Sequence, residues 1–77
     1  KEPQAALLYY RYVVETYPET ESASDARFRA GLIHEHRGQY QEAIEMFKGL
    51  LEDEKWKEDA AEHIADLEKH APEKIEQ

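Results

Sequence analysis

Seventy-seven residues without a cysteine make one small domain at most, with limited capacity to bury apolar surface. That composition excludes disulfide and thiolate chemistry, and no apolar run approaches the roughly 20 residues of a membrane span. The net charge of −8 is uneven: residues 1–38 carry five basic and six acidic groups, residues 39–77 five basic and twelve acidic. The second half would repel nucleic acid or an anionic lipid surface, so a basic or neutral protein partner is the better expectation. The plainer account of the acidic run is a solvated helix face.

The first segment, EPQAALLYYRYVVETYP, is expected to be helical. Pro3 suits a first helical turn, where its missing N–H costs nothing, and Pro18 stops the helix just after Tyr17. Ala6, Tyr10, Val13, Val14 and Tyr17 follow helical spacing. Leu7, Leu8, Tyr9 and Tyr12 spread apolar surface around most of the remaining circumference, so neighbours are expected on several sides. An upstream helix pair, a second copy of the chain or another protein would supply them. The chain starts with Lys and opens almost directly into this stretch, which suggests a piece of something longer.

In the linker ETESASD, Ser22, Ser24 and Asp25 are candidate helix starters, with Ser24 as N-cap and Asp25 in the first turn the simplest choice. The stretch from Ala26 to Leu51 then forms two helices joined at Gly38, a residue that tolerates positive φ. Gly31 and Ala43 are small where helix backbones must touch, while Phe28, Tyr40 and Phe47 fill the space beside them. Gly49 within the second helix should cost on the order of 1 kcal/mol relative to Ala and is expected to permit close contact with the following helix. Trp56 precedes a last helix of about 57–70, ended by Pro72, and is expected over the junction near Leu51 and Ala60. It could otherwise serve as a binding anchor. Glu58, Glu62, Asp66, Glu68 and Lys69 suit a solvating final helix, and the tail EKIEQ is expected to fray.

The order and spacing of Gly31, Gly38, Tyr40, Ala43 and Phe47 resemble the tetratricopeptide repeat, a helix–turn–helix unit of about 34 residues. Three positions depart from that pattern: Arg27 stands where Trp is usual, His34 where Tyr is usual, and Lys55 where a Pro often closes the unit. Ala6 and Tyr10 match Ala43 and Phe47 at an interval of 37, and Asp59, Ala60 and Ala65 match Asp25, Ala26 and Gly31 at 34. The resemblance implies an all-α fold of antiparallel helix pairs stacked as a right-handed solenoid fragment of four helices. Residues 1–18 would be the closing helix of a preceding repeat, 24–54 a complete pair, and 56–71 a final or capping helix. The long linker, the preceding Tyr17–Pro18 and the following ARFRAG are similar to repeats of bacterial cell-envelope proteins. The Tol–Pal periplasmic protein and outer-membrane assembly lipoproteins are the likest, which implies a periplasmic setting, with the cytoplasm as the alternative.

Chemistry finds little to work with. His34 and His36 lie roughly 200° apart around a helix axis and cannot chelate one ion. His63 and His70 share a face with Asp66 between them, but the spacing is wide for a single metal. The three glycines are scattered, so there is no phosphate-cradling loop, and no activated nucleophile or fixed carboxylate pair stands out. No catalysis, cofactor or metal is expected. In the repeat family the first helix of each pair lines a concave groove that holds a peptide or partner segment. Carried over, that face is Asp25, Phe28, Leu32, Glu35 and His36, with Asp59, Glu62, Asp66 and Lys69 from the last helix. Phe28 could instead pack beneath its neighbours. The carboxylates favour a basic or apolar segment. The rival expectation is self-association through Leu7, Leu8, Tyr9 and Tyr12 of the first helix.

Overall fold

A computed structural model describes residues 3–70. Among them are four α-helices and no strand: α1 (Pro3–Thr16), α2 (Glu21–His36), α3 (Tyr40–Lys48) and α4 (Lys57–His70). Each helix packs on the next in chain order. The short connections make neighbours antiparallel.

The α2–α3 turn follows directly from Gly38. Its φ of +76° is the only positive value among the described residues, and a side chain there would be strained. With that residue left-handed, the Gln39 N–H donates to the His34 carbonyl at 2.8 Å and the Gly38 N–H to Glu35 at 3.0 Å. These two bonds close a Schellman motif and satisfy carbonyls that the helix end would leave bare.

The start of α2 differs from the sequence expectation. Thr20, not Ser24, is the N-cap: it sits in extended backbone and its Oγ1 accepts the Ala23 N–H at 3.1 Å. Ser24 is buried one turn inside the helix, and its hydroxyl donates to the Asp53 carboxylate 29 residues away. The physical reason is that a hydroxyl can satisfy a distant acceptor as well as a local N–H, and here the distant one prevails. Tyr17 also departs from expectation, lying past the end of α1, 53% exposed, against the edge of Tyr12. Gly49 is not a helix-interior residue but the C-cap of α3. A Cβ there would meet the Arg27 side chain at 3.1 Å, so the close approach is back toward α2 rather than forward to α4.

Two apolar clusters hold the helices. The larger comprises Ala43, Ile44, Phe47 and Leu50 with Ala60, Ile64 and Leu67, flanked by Phe28, Tyr40 and Trp56. The smaller joins α1 to α2 through Val13, Ala23 and Ala26, with Tyr10 and Val14 alongside. Gly31 explains how α3 comes so near α2: a Cβ on it would lie 2.7 Å from the Phe47 ring, so only glycine leaves room. Phe47 is fully buried in consequence. Trp56 is half-buried and stacks on Phe28 with ring centroids 4.6 Å apart, while packing against the cluster that contains Ala60. Its main partner is thus Phe28 of α2, not Leu51, which stays exposed.

Candidate functional site

The side chains that could meet a partner come from α2 and α4, the two helices that share one side of the stack. Leu32, Glu35 and His36 of α2 face Asp66, Leu67 and His70 of α4 across a cleft of about 460 Å³, with Tyr40 at one end. Leu32 is 39% exposed, an apolar side chain left open on an otherwise polar helix face. Glu35 and Asp66 place carboxylates on either wall. Burial of an incoming apolar group on Leu32 would be favourable in proportion to area, and a cation between the walls would gain from both carboxylates.

The other residues of the expected face are arranged differently. Phe28 is half-buried: it stacks on Trp56, meets Phe47 edge-on at 5.5 Å and meets His63 edge-on at 5.4 Å. Its ring bridges α2 to α4 and does not line the cleft. Asp25 holds Arg29 one turn along at 2.8 Å, and that hydrogen bond, with the charge behind it, raises the Arg29 guanidinium above its ordinary pKa. Asp59, Glu62 and Lys69 are exposed on α4 outside the cleft.

Three residues not foreseen for this surface contribute to it: Tyr40, Leu67 and His70. Tyr40 was legible only as a packing residue of the repeat, and nothing in the sequence singled out Leu67. His70 turns back on its own helix, its Nδ1 donating to the Asp66 carbonyl at 2.9 Å. His63 pairs with Glu35 at 3.2 Å across the α2–α4 junction, and its ring stacks on Phe47 at 4.8 Å. His34 is half-buried, with its Nδ1 2.8 Å from the Gln39 amide oxygen. Each of these rings has a partner of its own. Among the described residues no three His, Cys, Asp or Glu side chains converge as metal ligands. No helix among them is long and apolar enough to cross a membrane.

The first helix presents a different surface. Val13 is buried and Ala6, Leu7, Tyr10 and Val14 are half-buried, whereas Leu8, Tyr9 and Tyr12 are 64%, 62% and 57% exposed. At 100° per residue, Leu8 and Tyr12 fall opposite the Tyr10, Val13 and Val14 face that packs on α2, with Ala5 and Tyr9 to one side of them.

No curated protein and no solved structure matches the chain. Residues 25–54 match the tetratricopeptide repeat family, so the α2–α3 pair that carries Gly31, Gly38 and Phe47 stands at the centre of an all-α, tetratricopeptide-like fragment.

Proposed function

We propose that this chain is a protein-interaction module that docks a basic or apolar segment of a partner in the α2–α4 cleft, without catalysis. Tetratricopeptide repeats generally mediate protein–protein interaction, and the family match supports that broad class. The observation that carries the finer reading is Leu32, open between the carboxylates of Glu35 and Asp66. Asp25, Asp59, Glu62 and Lys69 lie beside this cleft rather than in it, and would act on a longer ligand through charge alone. Phe28 contributes by fixing α2 against Trp56 and His63.

The test is a Leu- and Lys-containing peptide titrated into the ¹⁵N-labelled chain. Amide shifts should centre on Leu32, Glu35 and Asp66. The folded variant Leu32→Ser/Asp66→Lys should bind roughly tenfold more weakly, about 1.4 kcal/mol. Unchanged affinity in that variant removes the cleft as the site.

A second reading rests on the exposed Leu8, Tyr9 and Tyr12, with half-buried Leu7 beside them. We read α1 as the closing helix of a preceding repeat, whose Tyr9 and Tyr12 side an upstream helix covers; in its absence two copies would join there. Sedimentation across a concentration series decides this, since a strict monomer at millimolar concentration excludes self-association. A periplasmic setting belongs to the proposal as well, supported by the likeness of Tyr17–Pro18 and the ARFRAG segment to cell-envelope repeats.

A further inference from the structure

On the other side of the stack, α1 and α3 flank a second groove of about 780 Å³, larger than the α2–α4 cleft. Leu7, Leu8 and Val14 of α1 form one wall, Met46 of α3 stands opposite, and Ala30 of α2 lies in the floor. Its α1 wall runs from Gln4 to Glu15, a length of about 16 Å at 1.5 Å per residue. That elongated shape suits three turns of helix or a short extended strand better than a compact small molecule.

The charge of this groove is opposite to that of the molecule. The chain carries −8, yet the groove is lined by Arg11 and Arg37 against a single carboxylate, Glu15. Glu15 is already engaged with Arg11 at 3.5 Å. Arg37 has no carboxylate partner among the described residues, and it is itself the C-cap of α2. His34, held in place by Gln39, adds a polar ring to the lining. Apolar walls with basic rims select an apolar segment that carries carboxylates, because burial supplies affinity and complementary charge supplies orientation.

From this we infer that the α1–α3 groove is a second docking surface, specific for an acidic amphipathic segment of a partner protein. It opens on the other side of α2 from the α2–α4 cleft, shares no lining residue with it and prefers the opposite charge, so the two sites can be occupied independently. The chain would then bridge a basic segment and an acidic one.

The probe is a pair of synthetic amphipathic peptides with Leu at every third or fourth position, one carrying Glu at all other positions and one Lys. With the ¹⁵N-labelled full chain, the Glu peptide should shift the amides of Leu7, Leu8, Ala30 and Met46 and leave Leu32 and Asp66 in place. The Lys peptide should show the converse preference, so failure at one groove is read separately from failure at the other. Arg11 and Arg37 are exposed, and the variant Arg11→Glu/Arg37→Glu should fold normally by circular dichroism. It should lose about tenfold in affinity for the Glu peptide, with a weaker salt dependence. Three outcomes overturn the inference: no shift in the groove with the Glu peptide, equal binding by the charge-reversed variant, or groove shifts that appear on concentrating the chain alone. The last would mean that a second copy occupies it.

Discussion

Tyr10 and Phe47 lie 37 residues apart and occupy matching places in their helices, but they end in different environments. Phe47 is fully buried, with Gly31 beneath its ring, Phe28 against its edge and His63 stacked on its other face. Tyr10 is half-buried beside Val13, Ala23 and Ala26, with exposed Tyr9 at its edge. The small residue preceding each behaves likewise: Ala43 is fully buried and Ala6 only partly. Burial in a repeat is therefore a property of the neighbours on both sides and not of the residue itself. Among the described residues, helix α3 has a helix on each side, and α1 has one.

The largest effect expected from this contrast is at Phe47. Phe47→Ala removes a fully buried ring from between two helices and should cost about 3–5 kcal/mol, a large share of the stability of any small domain. Thermal unfolding should show the whole α2–α4 unit lost. Val13→Ala removes two methyl groups from the smaller cluster and should cost about 1.5–2 kcal/mol. Its signature is local: amide exchange in α1 accelerates while α3 keeps its protection. Equal acceleration in both helices would show that the two clusters unfold as one.

Gly31→Ala is expected to have a smaller effect than either, because two effects oppose each other. Alanine favours a helix over glycine by about 1 kcal/mol. The new Cβ, however, would lie 2.7 Å from two ring atoms of Phe47, which is fully buried and has no room to withdraw. Overpacking of that kind costs about 1–3 kcal/mol, so a net loss of about 1 kcal/mol is expected. Denaturant titration checks it, and Phe47→Leu in the same chain should relieve part of the loss. If Gly31→Ala stabilises, the contact is looser than its geometry implies.

What the sequence disclosed and what it hid divide along the same line. Gly31, Gly38, Ala43 and Phe47 were legible because each has a local or periodic reason, a positive φ or a contact one helix away. The helix count and the order of packing followed from them. Thr20, Ser24, Gly49 and Trp56 were not. A hydroxyl ahead of a helix looks the same whether it caps that helix or reaches across the fold, and only the tertiary approach of Asp53 to Ser24 decides between them. Trp56 likewise has Leu51 and Ala60 near it in sequence, yet it stacks on Phe28, 28 residues away. For the cleft, Leu32, Glu35, His36 and Asp66 came from the resemblance to the repeat family, whose first helices line a groove. The withdrawal of Phe28 into the α2–α4 junction depends on rings from three separate segments.

The smallest expected effect concerns the tie between Ser24 and Asp53, which links the start of α2 to the loop before α4. The Asp53 carboxylate accepts the Ser24 hydroxyl and the Lys55 backbone N–H, the latter at 2.9 Å. These bonds, that of Ser24 foremost, hold its carboxyl below the ordinary value of 3.8. A depressed carboxyl stabilises the fold at pH values above its unfolded pKa, and that contribution disappears as pH falls through the lower folded value. Ser24→Ala removes the leading cause of the depression and adds no bulk to the buried site. The stability gap between parent and variant should therefore be constant from pH 7 to about pH 5. It should narrow as pH falls below 3.8 and Asp53 takes up its proton. Urea titrations of both chains at pH 7, 5 and 3 measure it, and the other carboxylates cancel in the difference because both chains share them. A gap as wide at pH 3 as at pH 7 would show that the serine acts by packing alone. A gap that closes identifies the charged hydrogen bond as what ties the start of α2 to the loop before α4.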